Sequence, residues 1–284
     1  MTFPLVSIII TTKNEEAHLP HLLESIIKQT YKHIETIVVD NASKDGTVRI
    51  AKQFKARVWN KGPERSHQRN FGMEKSKGDY VLFLDADMIL TPSVIKECID
   101  TIHEPGTLPR RQAGKNQELK AIVIPERSIG HGFWTRCKIL ERKCYEGVDW
   151  IESARFFKKN IVMQIGGYNI KLTGPEDFEL PQRIKFKYGR GCIGRITSYI
   201  LHDEGKISLA KLLAKKYYYG RKMRQYRAVS ESKSYFAKQA SPLYRFALFF
   251  RRWDLLARDP IHAVGMIVLK LMEMAALGLG SLQG

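Results

Sequence analysis

Gly78-Asp-Tyr-Val-Leu-Phe-Leu-Asp-Ala-Asp87 decides how this chain is read. Tyr80 to Leu84 form an unbroken apolar run that stops on a carboxylate, the pattern of a strand buried on both faces. Such strands belong to parallel sheets, and Asp85 and Asp87 then stand at the C-terminal edge, where open α/β sheets bind ligands. Paired hard oxygens there suit Mg2+ or Mn2+, ions that keep waters and take other ligands from substrate phosphates. Asp-x-Asp alone is a common pattern and an acidic turn is the plain alternative, so the surrounding chain has to decide between them.

Upstream of this strand, strand and helix patterns alternate. Val6 to Thr12 is β-rich, and His18 to Lys28 places Leu19, Leu22, Leu23, Ile26 and Ile27 at helical spacing. A strand over His33 to Asp40, a helix over Thr47 to Phe54, a strand over Ala56 to Asn60 and a helix over Ser66 to Ser76 complete the series. Strands separated by helices imply βαβ units and a mostly parallel sheet covered on both faces. Asp40 ends the second strand as Asp85 ends the fourth, so both carboxylates are expected to face one crevice. Thr11, Thr12, Lys13, Asn14 and Glu15 end the first strand and give that crevice a polar floor. Ser43, Asp45 and Thr47 read as turn and N-cap residues.

The chain has 284 residues, of which 44% are hydrophobic, enough for a sizeable core and too many for a disordered segment. Cys98, Cys137, Cys144 and Cys192 include no Cys-x-x-Cys pair, which argues against a zinc cluster or a disulfide framework and for a reducing, cytosolic setting. The apolar run Leu5 to Ile10 lacks the charged lead of a secretory signal. Between His103 and Leu119, Pro and Gly residues without apolar periodicity predict a flexible loop. A strand is expected over Ala121 to Pro125.

The net charge of +18 is concentrated near the end of the sequence: residues 206–284 hold 15 Lys and Arg against Glu231, Asp254, Asp259 and Glu273, a net +11. Such a segment attracts an anionic polymer or an anionic membrane. Tyr217, Tyr218, Tyr219 and the run Tyr244 to Trp253 interleave aromatics with basic residues. Val264 to Leu279 is mostly apolar, but Lys270 and Glu273 interrupt it. It falls short of the roughly 20 apolar residues needed to cross a bilayer, so an interfacial helix or one packed on the main domain is expected.

Val6-Ser-Ile-Ile-Ile-Thr-Thr-Lys-Asn-Glu15, Val39-Asp-Asn-Ala-Ser-Lys-Asp-Gly-Thr47, Arg69-Asn-Phe-Gly72 and Gly78 to Asp87 together resemble the nucleotide-sugar domain of family 2 glycosyltransferases of the GT-A (Rossmann-like) fold. The resemblance continues through Ile165-Gly-Gly-Tyr168 and Gly174-Pro-Glu-Asp-Phe-Glu-Leu180, and covers roughly residues 4–204. It implies a glycosyltransferase domain over 1–204, with a nucleotide-sugar half (1–102), the loop 103–119 and an acceptor and catalytic half (120–204). A basic amphipathic helical appendage follows over 205–284.

The reaction the resemblance implies is inverting transfer of a sugar from a nucleoside-diphosphate sugar, with UDP as the expected carrier, to a hydroxyl or lipid-linked acceptor in glycan synthesis. Departure of the diphosphate builds negative charge that a divalent cation stabilises. Asp87 is the expected metal ligand. Asp85 holds the ribose and shares the metal, and His202 completes the coordination. Asp40 and the Thr11 to Glu15 turn are expected to recognise the base. Arg65 and Arg69 neutralise phosphate, with plain surface arginines as the alternative. Asp177 matches the family's general base, and its neighbour Glu176 touches the acceptor or caps a helix. Repulsion between the two carboxylates can raise a pKa. Gly130 to Trp134, Trp150, Glu152 and Arg155 fall where such enzymes build the acceptor side, and Trp150 is also a good core residue. The Gln-x-x-Arg-Trp motif of the processive synthases is absent, which favours one sugar per binding event.

Two other readings stand beside this one. A nucleotidyltransferase acting on a sugar phosphate uses a similar sheet, but its phosphate loop is Gly-rich and Thr11 to Glu15 contains no glycine. A non-enzymatic nucleic-acid binder fits the +18 charge but not the carboxylates at three strand ends. The expected partners are therefore a nucleotide-sugar donor, an acceptor and the inner face of a cell membrane touched peripherally by the tail, with no nucleic acid.

Overall fold

The computed structural model describes residues 3–103, 118–172, 174–222 and 241–283. Most of the expected loop, residues 104–117, and part of the basic tail, 223–240, lie outside the described residues. The strands are β1 (Val6–Thr12), β2 (Ile34–Asp40), β3 (Arg57–Asn60), β4 (Tyr80–Asp85), β5 (Met88–Leu90), β6 (Ala121–Val123), β7 (Glu126–Ile129), β8 (Ala154–Lys158), β9 (Ile193–Arg195) and β10 (Ile200–Asp203). The helices are α1 (Leu19–Ile27), α2 (Thr47–Gln53), α3 (Arg65–Lys75), α4 (Val94–His103), α5 (Phe133–Cys144), α6 (Lys159–Ile165), α7 (Glu176–Tyr188), α8 (Leu209–Arg221), α9 (Pro242–Arg251), α10 (Trp253–Arg258) and α11 (Pro260–Leu282).

The chain forms two compact units. The first comprises Met1–Glu126, Ser153–Ile170 and Glu176–Leu201, and the second comprises Arg127–Glu152, Lys171–Pro175 and His202–Gly284. The sequence places the division at residue 204, and the second unit here begins its longest segment at His202. Residues 127–152, read from the sequence as part of the first domain, fold with the tail.

The first unit is built on a seven-stranded sheet in the order β3-β2-β1-β4-β8-β6-β9. β1 to β4 are mutually parallel, while β8 runs antiparallel to β4 and β6. Alternation along each strand sends its side chains to two cores. Ile8, Ile10, Val38, Leu82 and Leu84 face one layer with residues of α1 and α4, and Ile9, Val39, Val81 and Phe83 face the other with Met73, Ile161 and Leu180. The chain leaves β1 toward β2 and β3 and returns on the opposite side as β4. That reversal opens a crevice beyond the C-terminal ends of β1 and β4. Register aligns Thr12 with Asp40 and Thr11 with Asp85, so the expected carboxylates and threonines share one sheet edge.

The second unit is helical. α5, α8, α9 and α11 surround a core containing Cys137, Leu140, Phe249, Met266 and Leu269. α8 and α11 meet backbone to backbone: a Cβ on Gly280 would lie 2.1 Å from the Tyr217 carbonyl oxygen, and one on Gly220 would lie 2.2 Å from that of Leu277. Asp259 caps α11 through the His262 amide at 3.4 Å, with Pro260 in the first turn. The helix is longer than the sequence predicts. Its 23 residues are long and apolar enough to cross a membrane by length and composition. Lys270 and Glu273, which interrupt the apolar run, are both buried. Lys138 bonds Glu141 and Glu273 at 2.8 Å each, Lys270 lies 2.5 Å from Glu141 and also pairs with Glu273, and Lys216 lies 3.7 Å from Glu273. The four cysteines are all buried and unbridged.

Candidate active site

Two loops at the sheet edge are stitched together by residues 29–32 positions apart. Asn14 donates its amide to Ser43 at 2.7 Å, Glu15 donates to Thr47 at 2.8 Å and Glu16 donates to Asp45 at 3.1 Å, while Asn14 accepts from the Lys44 amide at 2.8 Å. Asn14 adopts a positive φ of 56°, which asparagine tolerates better than most residues. The turn residues of the second loop thus also shape the first, a long-range role that their local pattern does not reveal. Asp40 is buried and accepts from Thr12 at 2.8 Å and from the Ser43 amide and hydroxyl at 2.8 and 2.6 Å. Asp40, expected to recognise the base, thus also braces the second loop through both of its oxygens. Lys13 is exposed on the same turn.

α3 sends Arg65 and Arg69 toward the same edge. Arg69, fully buried, lies between two acids: Nη2 donates to Asp85 Oδ1 at 3.0 Å and Nη1 pairs with Asp177 Oδ1. Its guanidinium also lies 5.0 Å from the centre of the Tyr168 ring. Arg65 is 3.6 Å from Asp85 Oδ2 and 3.1 Å from Glu176 Oε1. Burial alone would favour losing the proton, yet Asp177 and Asp85 hold Arg69 firmly charged, and Asp85 and Glu176 do the same for Arg65. Neither is a loose surface arginine. Glu176, 1% exposed, has its carboxyl pushed up first by burial and then by the charge of Asp177.

The motifs Arg69-Asn-Phe-Gly72 and Ile165-Gly-Gly-Tyr168 meet here. Asn70 donates to the Tyr168 carbonyl and accepts from its amide, both at 2.8 Å. Gly167 has φ +71°, and a Cβ on it would lie 2.5 Å from the Asn70 side chain.

Arg155, read from the sequence as an acceptor-side residue, belongs to the same charged cluster. It bonds Glu126 at 2.5 Å and lies 4.0 Å from Asp85 Oδ2. The sequence reading did not single out Glu126. The signal for both is an arginine between Ala154 and Phe156 in a strand with an apolar pattern, since a buried guanidinium requires a carboxylate.

Asp85 also accepts from Thr11 at 3.2 Å, so its carboxylate faces one hydroxyl and three guanidinium groups. Asp85, expected to hold the ribose and share a metal, is thus braced by cations and a hydroxyl. His202, on β10, falls in the second unit, and among the described residues no three His, Cys, Asp or Glu gather as metal ligands. Asp87 remains at the edge with Glu15, whose carboxyl is pushed up by burial and by the charges of Asp87 and Asp85, against a bond to His18. A divalent cation beside Asp87 would relieve that repulsion, with phosphate oxygens and waters filling its shell. The residues present fit an ion of that kind.

In the second unit, Trp134 and Trp150 pack against the helical core, with the Arg245 guanidinium 5.6 Å from the Trp150 ring centre. Phe133 is exposed.

Comparison with known proteins agrees with this arrangement. The profile of Glycosyl transferase family 2 matches residues 7–146. An uncharacterized glycosyltransferase of Haemophilus influenzae is 28% identical over 186 residues, 62% of this chain and 60% of that protein. A second from that organism is 36% identical over 96 residues, 31% of this chain and 38% of the relative. The matches thus span less than two thirds of these relatives' length. Among solved structures, Staphylococcus aureus TarS in complex with UDP superposes with TM-score 0.55 at 14% identity, covering 98% of this chain and 90% of that one. Mannosyltransferase PcManGT from Pyrobaculum calidifontis in complex with GDP-Man and Mn2+ superposes with TM-score 0.58 at 16% identity, covering 98% and 87%. Glucosyl-3-phosphoglycerate synthase from Mycobacterium tuberculosis, in complex with Mn2+, UDP and glucosyl-3-phosphoglycerate, superposes with TM-score 0.54 at 16% identity, covering 81% and 82%. By its sheet order, its profile match over residues 7–146 and its relatives, this chain carries a family 2 glycosyltransferase domain and has the GT-A fold.

Proposed function

We propose that the chain transfers a single sugar, with inversion, from a UDP-sugar to the hydroxyl of a lipid-linked or glycan acceptor. The observation that carries this reading is the placement of Arg65 and Arg69 at the sheet edge, between Asp85 and the Glu176–Asp177 pair. Those guanidinium groups are held in place before any substrate arrives, so charge developing on a departing diphosphate meets cations that need no reorganisation. Two of the three structural relatives are described with UDP, and two with Mn2+, which supports the choice of donor and of metal.

In the proposed step the acceptor oxygen attacks the anomeric carbon from the face opposite the diphosphate. The carbon–oxygen bond to the diphosphate breaks, and its electron pair leaves on the phosphate oxygen. Asp177 takes the acceptor's hydroxyl proton; Arg69 holds one of its oxygens, which fixes the direction of the other. Asp85, fixed by Thr11 and Arg69, is the acceptor for a ribose hydroxyl. The turn Thr11 to Glu15, shaped by Asp40, Ser43 and Thr47, lines the base. A divalent ion bound through Asp87 would supply further electrostatic stabilisation of the leaving diphosphate. The net +11 of residues 206–284 supports work at the anionic inner face of a cell membrane.

A thermal-shift series with UDP, GDP, CDP and TDP, each with and without Mn2+, tests the reading, because a ligand that binds only the folded state raises its melting temperature. Metal-dependent stabilisation by UDP is expected. A folded protein that responds to none of the four would refute it.

A further inference from the structure

The second unit has an apolar core, yet it also buries charges and exposes an apolar stripe. Lys138, Glu141, Lys270 and Glu273 are buried in its interior, while α11 also turns a row of aliphatic side chains outward. Ile261, Val264, Val268, Leu271, Leu279 and Leu282 are 42–77% exposed. At about 100° per residue these six fall within an arc of about 80°, a stripe that runs about 32 Å along the helix. Lys270 and Glu273, the only Lys, Arg, Asp or Glu residues of α11, lie on the far side of the helix from that arc, paired inward. Charges turned to the interior with an unbroken apolar face outside is the arrangement of helices whose surroundings are hydrocarbon rather than water. Scattered exposed aliphatic residues on a soluble protein need no explanation, but a continuous stripe does.

We propose that this outward stripe of α11 is a lipid-docking face that seats the second unit on an anionic membrane. The helix does not span the bilayer, because its opposite face is buried against α5 and α8 of its own unit. It lies along the surface with the stripe in the boundary between headgroups and acyl chains. Charge complementarity selects this occupant. Residues 206–284 carry net +11, which repels a second copy and attracts anionic headgroups. Immediately upstream, Phe250 and Trp253 are 61% and 66% exposed and bracket Arg251 and Arg252, a pairing of aromatic and cationic groups suited to the headgroup layer. This assignment rests on, and deepens, the membrane reading of the tail given above, but it is independent of the donor site, since the face carries none of the site residues.

The test is co-sedimentation of the full chain with vesicles of phosphatidylcholine alone and of equimolar phosphatidylcholine and phosphatidylglycerol. Wild type should pellet with the mixed vesicles and stay in the supernatant when mixed with the neutral ones. The double variant Val264→Gln/Leu271→Gln keeps the net charge and alters only outward positions, so its melting curve should match wild type. Its partition onto mixed vesicles should fall at least about tenfold, through loss of apolar insertion alone. Arg251→Gln/Arg252→Gln should reduce binding and weaken its dependence on phosphatidylglycerol. Equal sedimentation of wild type and Val264→Gln/Leu271→Gln would overturn the proposal. So would a wild-type dimer in solution that the same variant converts to a monomer without any vesicle binding in either form, since the stripe would then cover a second copy. Nucleotide thermal shifts on these samples report the donor site separately, so failure of one reading leaves the other standing.

Discussion

Replacing Arg69 with methionine tests whether one buried guanidinium holds the site together. Arg69 is fully buried and faces Asp85 and Asp177 directly, with Glu176 Oε1 3.9 Å away. Methionine fills similar volume and leaves the carboxylates with Arg65 and Arg155 as their remaining cations. Breaking a buried pair by removing one partner costs about 3–5 kcal/mol. At about 2–4 °C per kcal/mol for a chain of this size, the melting temperature should fall by about 6–20 °C near neutral pH. The sign of the pH dependence is also fixed. The Glu176 carboxyl is already raised by burial and by Asp177, and Arg69 is among the groups that lower it. Without Arg69 it rises further, so the variant's folded state takes up protons more readily than its unfolded state. The deficit relative to wild type should therefore shrink as pH falls from about 8 to about 5. Calorimetry of both proteins across that range measures it. A variant that melts within about 2 °C of wild type at neutral pH, well inside the shift expected for an unpaired buried charge, would refute the view that Arg69 compensates these acids.

Asp177→Asn should abolish transfer, by about 100-fold or more, while UDP and Mn2+ still shift the melting curve; loss of the nucleotide shift would move Asp177 out of the base role. Asp87→Ala should weaken the metal-dependent part of UDP stabilisation in the same assay, and an unchanged Mn2+ dependence would remove it from the metal site. In the second unit, burial and the neighbouring Lys138 depress Lys216 to about 7, against the pull of Glu273. Its folded form therefore binds fewer protons than the unfolded chain between about pH 7 and about pH 10, and stability should rise across that window. Because Lys216 remains about a quarter exposed, solvent softens the effect. Lys216→Met should lack that part of the slope in urea midpoints compared at about pH 7 and about pH 9.

Much of the first unit was legible because its signals are local. The strands at Val6, Ile34 and Tyr80 and the intervening helices follow from apolar periodicity, and their predicted limits fall within a residue or two of the structure. Parallel pairing follows from the helices between them, so the position of Asp40 and Asp85 at a common edge could be read before any coordinates. Asp85 and Asp177, 92 residues apart in sequence, are a different matter. That both lie against Arg69 depends on how α3 and α7 pack on the sheet, which no short window encodes.

The sequence by itself determined the α/β alternation, the polar strand ends and the basic character of the tail, since these depend on neighbouring residues and on composition. Only the tertiary structure decided which carboxylate meets which cation. It made Asp40 a brace of the second loop and enclosed Asp85 with guanidinium groups, and it joined residues 127–152 to the tail through Lys138 and Glu141. The charges that seemed to break the apolar run of α11 proved to be its buried side. A carboxylate or an ammonium reads the same in a sequence whether it faces water or a partner, and burial, which separates the two, is a property of the folded whole.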